Sequence, residues 1–400
     1  MKPAQTLTPQ DWLQSAPLQK VLAVLNEGAP QDDPNALLVG GCVRNALLGQ
    51  TIDDIDIATR LTPDEVIARM DAAGIKTIPT GIDHGTITAV EDGQPFEITT
   101  LRRDVETDGR RAIVAYSTDW AEDARRRDFT INTLLADVKG RVYDPLGEGL
   151  KDIQARRVVF VGEPAQRIAE DHLRILRYFR FHALYGAGNM DPEALEACEA
   201  AADKIPSLSK ERITQEIFKI LSHDDPAGVL SVMAGRGILT DLPASGYNPQ
   251  LLKDLCFIQK QFGLRALPAR LLVLGGLKAE GVLTLERYLL IPKLYKKDMA
   301  AIEGVLALAD LNEEQAIKEA LYRYGRTPTA QALMIEIALD RVMRGGAGEA
   351  LNLIRNWDIP TFPVSGEDLI KQGYKPGPEL GQKVIALEAE WIKGGFRNLC

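Results

Sequence analysis

The sequence predicts an α+β protein in which a mixed-sheet unit over roughly residues 25–150 is followed by an all-helical remainder. Short apolar or alternating stretches, the signature of strands, recur at 36–41, 55–59, 75–79, 85–90, 95–101 and 133–137. From about residue 163 the pattern changes. EPAQRIAEDHLRILRYFRFHALYG, DPEALEACEAAADK and SKERITQEIFKILSH carry helical spacing, and strand signal fades.

The chain of 400 residues is long enough for two to four domains, at roughly 100–200 residues each. With 45% hydrophobic and 26% charged residues, it has the composition of a soluble globular protein. The first 20 residues lack a basic segment followed by an apolar core, and no later stretch approaches the ~18 apolar residues of a membrane span. These features imply a cytoplasmic protein with no membrane association. Cys42, Cys198, Cys256 and Cys400 are too scattered for a zinc knuckle or a disulfide framework. The net charge of −9 argues against indiscriminate polyanion binding, which needs Lys and Arg to neutralise phosphates. It leaves room for a local basic track, and Arg102, Arg103, Arg110, Arg111, Arg125 to Arg127, Arg156 and Arg157 form one, interleaved with acids.

In order along the chain, ALLVGG at 36–41 reads as a buried strand ending in two glycines, followed by a helical VRNALLG that stops at Gly49. IDIAT alternates as a strand. Thr62 before Pro63 reads as a helix N-cap, and Gly74 closes that helix. The polar, glycine-containing stretch 101–112 reads as a loop between strands, and a solvated hairpin would look much the same. Breaks at 243–249, Pro292 and 359–364 divide the helical remainder. The division expected is 1–150, 151–225 and 226–400.

The strongest local feature is Gly40-Gly41-Cys42-Val43-Arg44, then a helix, then Asp53-Asp54-Ile55-Asp56 at a strand start. Residues two apart in an extended chain face one side, so Asp54 and Asp56 can jointly hold an oxygen-loving divalent cation while Asp53 points away. Mg²⁺ suits a few carboxylates plus substrate phosphates, and two ions activate an attacking 3′-hydroxyl and stabilise a leaving pyrophosphate. The glycines permit close backbone approach to a triphosphate, and the helix N-terminus with Arg44 offers positive potential. Alone, D-x-D equally describes an acidic turn; the glycine–arginine–DxD combination favours phosphoryl transfer. Glu97, on an alternating strand, is a candidate third carboxylate or a solvated strand acid.

Arg126-Arg127-Asp128-Phe129-Thr130-Ile131-Asn132 can bind a ribose and a phosphate through Arg127, Asp128 and Asn132, or can be a charged helix end. On a helix, Asp171 and Arg174 are i,i+3 neighbours and offer an acceptor beside a donor fork. Cytosine and adenine both show an amino donor next to a bare ring nitrogen, so such a pair selects C and A together and leaves charges unpaired against uracil and guanine. Steps of three residues rotate about 60°, which keeps Arg177 within reach of a triphosphate and Arg180 further round. A helical salt-bridge face is the competing reading, and His172 and His182 read as structural.

Together these segments resemble class II tRNA nucleotidyltransferases, a branch of the DNA polymerase beta-like superfamily that includes CCA-adding enzymes and bacterial poly(A) polymerases. The resemblance covers residues 36–215 and rests on LLVGGCVRNALLG, DDIDIAT, HGTIT, RRDFTINTLL, YDPLGEGLKDI, EDHLRILRYFRF and SKERITQEI in that order. It implies a nucleotidyltransferase head over 1–150, a helical neck over 151–225 and a helical body and tail over 226–400. It further implies that Asp54 and Asp56 bind Mg²⁺, and that Gly41 and Arg44 contact the triphosphate. Arg127 and Asp128 would sit near the sugar, and Asp171 and Arg174 would read the base with Arg177 and Arg180 assisting. The substrates implied are CTP, ATP and the 3′ end of tRNA, with no template and no obligatory protein partner. One departure is Asn45, where the family commonly has Asp. The stretch 101–112 suits the mobile loop that the family associates with switching from C to A, which disfavours CC-only addition. The alternatives are A-only or CC-only addition, a poly(A) polymerase, or a noncatalytic RNA-binding factor; the mixed-charge tail disfavours the polymerase and the intact DxD disfavours the last.

Overall fold

A computed structural model describes residues 1–108, 111–239, 242, 247–308, 310–342 and 345–397. The chain divides into two compact units: Met1–Ser209 with Arg236–Ile238, and Lys210–Gly235 with Leu239–Cys400.

The first unit is built on an eight-stranded sheet of order β1-β10-β9-β2-β3-β6-β5-β4. Its strands are β1 (Gln5–Thr6), β2 (Ala36–Val39), β3 (Asp56–Thr59), β4 (Lys76–Gly81), β5 (Thr86–Glu91), β6 (Gln94–Thr100), β9 (Leu135–Ala136) and β10 (Arg141–Tyr143); β7 (Arg102–Asp108) and β8 (Arg111–Tyr116) form a separate hairpin. The sheet is mixed because β3 runs parallel to β6 while its other pairings are antiparallel. A parallel pair needs a crossover, and the helix Pro63–Ala72 lies in it. That helix starts where the sequence predicts. Thr62 Oγ1 accepts from the Glu65 amide at 3.4 Å while Glu65 returns a bond to the Thr62 amide at 2.8 Å, a reciprocal capping box. Leu37, Val39, Ala58, Leu101, Trp120, Leu135 and Tyr143 fuse one face of the sheet into a buried cluster.

Three expectations change. The stretch 101–112 is mostly strand: β7 pairs antiparallel with β8 from Arg102↔Tyr116 onward, and residues 109 and 110 lie outside the described residues. The strand expected over 133–137 shrinks to Leu135–Ala136, preceded by a 3-10 turn at Thr130–Asn132. The helix expected through EPAQRIAEDHLRILRYFRF is two helices, Pro164–Glu170 and Leu173–Tyr185, broken at Asp171 where φ is −155° and ψ 105°. The extended backbone there lets Asp171 Oδ1 accept from the Leu173 amide at 3.1 Å, which satisfies a first-turn N–H of the second helix.

Among the described residues, the regular elements of the second unit are all helices. The helix Arg326–Ala338 is buried at every position from Thr329 to Ile337, so it runs through the middle of its neighbours rather than along their surface. Among the described residues no helix is long and apolar enough to cross a membrane. Cys400 lies outside the described residues.

Candidate active site

Gly40 ends the turn after β2 with φ 69° and ψ −120°, a backbone conformation open essentially to glycine. It launches the helix Gly41–Leu48, whose first-turn amides have no acceptor within the helix. The special conformation thus belongs to Gly40, while Gly41 is the first helical residue. A Cβ on Gly40 would come within 3.6 Å of Arg127 Nη1, so the Arg127 guanidinium lies against this turn.

Beside the turn, β3 presents the carboxylates. Asp54 lies just before the strand and is exposed, Ile55 is buried, and Asp56 opens the strand half-buried, the alternation that a shared facing of Asp54 and Asp56 requires. Because β6 runs parallel to β3, Glu97 stands in register with Asp56. Burial first, then the like charge of Glu97 with that of Asp54, pushes the Asp56 carboxyl above its usual range, against the pull of Arg127 and Arg44. Among the described residues no group of three or more His, Cys, Asp or Glu side chains is gathered tightly enough to hold a metal alone. The carboxylates still fit a hard divalent cation: all donors are oxygens, and their mutual repulsion is what a cation would relieve.

Arg127 is held by a residue that sequence reasoning passed over. Asp123 accepts from Arg127 Nη2 at 2.8 Å and Nε at 3.1 Å through one oxygen, and from Arg126 Nε at 2.8 Å through the other. Although burial works to raise it, the two guanidinium groups hold Asp123 below the usual carboxylate range. Its i,i+3 and i,i+4 spacing to the two arginines was a readable signal.

From Arg44 a chain of buried polar groups runs to the helix Leu173–Tyr185. Arg44 is 7% exposed. It donates to Asn132 Oδ1, to Asn45 Oδ1 at 2.9 Å and to the Tyr185 hydroxyl at 2.7 Å, and its guanidinium lies 4.1 Å from the Tyr185 ring centroid. Burial lowers its pKa. Asn132 Nδ2 donates to Asp128 Oδ1 at 2.9 Å, and Asp128 Oδ2 takes both Nε and Nη2 of Arg177. With the Phe129 amide also bound at 2.9 Å, four donors occupy the Asp128 carboxylate. Against the upward push of burial, the Arg177 charge and these hydrogen bonds hold Asp128 below the usual range. Asn45 completes the network: its amide nitrogen donates to the Thr51 carbonyl at 2.8 Å, a bond that an Asp carboxylate has no proton to make.

Arg44, Arg177 and Arg180 all face the Phe181 ring, with guanidinium carbons 5.2, 5.3 and 4.5 Å from its centroid. The same ring packs 4.8 Å from Phe129, which in turn meets Phe160 at 4.9 Å. This aromatic seam fixes the helix against the Arg127–Asn132 segment.

Arg174 pairs in this structure with Glu170 Oε2 at 2.6 Å, and donates to the Arg167 carbonyl at 3.0 Å and the Arg126 carbonyl at 3.3 Å. Three of the five guanidinium N–H groups are thereby engaged, which leaves Nε–H and one Nη2–H. Asp171 sits at the helix break rather than on a helical face with Arg174, and the Arg174 amide binds its carbonyl at 2.9 Å. Glu170, i,i+4 from Arg174, was the readable partner that the Asp171–Arg174 pairing obscured.

Residues 36–159 match the family model of the "Poly A polymerase head domain", and 189–244 that of the "Probable RNA and SrmB- binding site of polymerase A". The chain is 31% identical over 375 residues to a "CCA-adding enzyme" of Streptococcus gordonii, covering 91% of this chain and 90% of the relative. Its fold is similar to that of the CCA-adding enzyme of Bacillus stearothermophilus crystallised in complex with CTP: TM-score 0.76, 28% identity, 95% of this chain and 94% of that one. It is also 36% identical over 380 residues to "CCA tRNA nucleotidyltransferase 1, mitochondrial" of Danio rerio, across 90% of this chain and 84% of that one, and it belongs to the CCA tRNA nucleotidyltransferase family.

Proposed function

We propose that this protein adds C, C and A in turn to the 3′ end of tRNA from CTP and ATP, releasing pyrophosphate and using no nucleic-acid template. The observation that supports this most is the placing of Asp54, Asp56 and Glu97 beside the glycine turn, with Arg127 against that turn. Family membership implies a divalent metal; we assign it as two Mg²⁺ ions held by Asp54 and Asp56, with Glu97 as a third catalytic carboxylate. When bound, such ions polarise the attacking 3′-hydroxyl and neutralise the leaving pyrophosphate.

The remaining work falls to the chain itself. The first-turn amides from Gly41 and the guanidinium of Arg127 bind the triphosphate. Arg44, Arg177 and Arg180 add positive potential from the Phe181 side. Because four donors already fill Asp128, a sugar hydroxyl reaches it only by displacing one of them. Asp128 and Asn132 therefore act first as positioning residues for Arg177 and Arg44. Asp171 and Arg174 read the base, with Glu170 fixing one side of the guanidinium and leaving Nε–H and an Nη2–H for the ring nitrogen. The functional division follows: head 1–150, neck 151–225, body and tail 226–400. A cytoplasmic place of action belongs to the proposal; a mitochondrial one, carried in the name of the Danio rerio relative, is the competing reading, and fractionation separates the two.

The base-reading assignment is tested by competition between CTP and UTP on a tRNA lacking CCA. A site built to hydrogen-bond one base edge rejects the reversed edge by as much as about 10⁴-fold. Arg174→Ala is expected to lower the CTP-over-UTP preference by at least ~100-fold while changing binding of the tRNA little. A variant that discriminates as the wild type does removes Arg174 from the base-reading role.

A further inference from the structure

A cavity of about 470 Å³ in the second unit is lined by a buried charge that no carboxylate of the described residues contacts directly. Arg270 lines it and is 2% exposed. Its Nε donates to Gln259 Oε1 at 2.8 Å, and its Nη1 to the carbonyls of His223 at 2.6 Å and of Leu221. Its buried Nη2 has no partner. Gln259 cannot swing away to help, because its Nε2 is bound to Gln331 Oε1 at 2.8 Å and Gln331 Nε2 to the Leu264 carbonyl at 2.8 Å. Among the described residues no carboxylate reaches Arg270. A buried guanidinium satisfied only by neutral groups, with one donor idle, is a costly arrangement unless something negative joins it.

The rest of the lining supplies the same sign. Leu267 and Pro268 begin the helix Leu267–Leu274, and Thr327 and Pro328 lie in the first turn of the helix Arg326–Ala338. Neither helix has a side-chain cap: their N-cap residues are Ala266 and Gly325. Two uncapped helix N-termini therefore open on one cavity with positive potential; Pro268 and Pro328 carry no N–H, so the first-turn amides that line it are those of Leu267 and Thr327. Arg265 adds a second guanidinium at the rim, paired at 2.6 Å with Asp224. Asp298 is the one acid of the lining and opposes them.

We propose that this cavity binds a phosphate group, with Arg270 Nη2 and the backbone amides of Leu267 and Thr327 as its donors. The group has two possible sources, a backbone phosphate of bound RNA or free inorganic phosphate. The site is independent of the nucleotidyl-transfer reading, since every residue lining it lies in the second unit.

The test uses the full chain and two variants. Thr327→Glu puts a carboxylate at the cavity mouth, in a first turn where an acid favours the helix itself, so the fold is preserved. Arg270→Gln removes the idle donor; if it fails to fold, Thr327→Glu carries the test alone. Melting is followed with inorganic phosphate against potassium chloride at equal ionic strength, and affinity for a tRNA lacking CCA is measured across salt concentrations. If free phosphate is the ligand, it raises the wild-type Tm by about 2–4 °C more than it raises that of either variant, and tRNA affinity is unchanged. If an RNA phosphate is the ligand, the variants bind tRNA at least ~5-fold more weakly, and their salt dependence is shallower by about one ion. Equal phosphate responses together with wild-type tRNA affinity and salt slope overturn the proposal.

Discussion

Replacing both Asp54 and Asp56 by Ala is expected to lower nucleotide incorporation by at least ~10³-fold, since a metal's stabilisation of transition-state charge is worth several kcal/mol. The same double variant should melt no lower than the wild type. In the absence of ligands these side chains crowd like charge together, with Glu97 in register with Asp56 and burial added to the repulsion. Removing them relieves a repulsion that Arg127 and Arg44 offset only in part. Activity loss with unchanged or raised Tm, and with tRNA affinity preserved, is the signature of a functional acid cluster. A fall of several degrees in Tm would instead mark the two aspartates as structural.

The second large effect is expected at Asp128. In Asp128→Asn the new amide must turn a donor toward either Arg177 or the Asn132–Phe129 side, all of which are donors already. Breaking a buried ion pair by removing one partner costs about 3–5 kcal/mol, and with Arg177 31% exposed the lower end, about 3 kcal/mol, applies here. For a unit of this size each kcal/mol lowers Tm by about 2–4 °C, so a fall of roughly 6–12 °C is expected by calorimetry. The pH dependence gives an independent check. Asp128 is held below its usual range when folded, so its contribution is complete above the unfolded value of about 3.9 and is lost as pH falls through the lower folded value. The Tm gap between wild type and variant should thus stay constant from neutral pH to about 4 and close only in stronger acid. A gap that closes between pH 7 and 5 would exclude the Asp128–Arg177 pair as its origin.

The local rules of the sequence were readable wherever a residue's partner lay within a turn or one strand. Thr62 and Glu65 cap a helix from three residues apart, and Asp54 and Asp56 are linked by strand alternation alone. Glu97 was readable as a candidate on a strand that could lie beside the first, but its register with Asp56 was not, because that is set by a crossover rather than by a hairpin. Long-range partners left no trace. Nothing near Arg44 announces that it will bind Tyr185, 141 positions later, or Asn132, 88 later. For the pair 102–108 and 111–116 the sequence left loop and solvated hairpin open, because its charged residues are depleted in strands generally. The break at Asp171 was masked by helical spacing on both sides of it; there the Asp171 side chain accepts from the Leu173 amide. The consequence for the proposed base-reading pair is concrete: Arg174 is oriented by Glu170, and Asp171 stands at the junction between the two helices.

The central claim is sequential addition of C, C and A by one chain. It is tested most directly by incubating the purified protein with Mg²⁺, CTP and ATP and three tRNAs, ending before CCA, after C and after CC, and sequencing the products. All three should finish as CCA and stop there. Addition of A alone, arrest after CC, or a long A tract would contradict it.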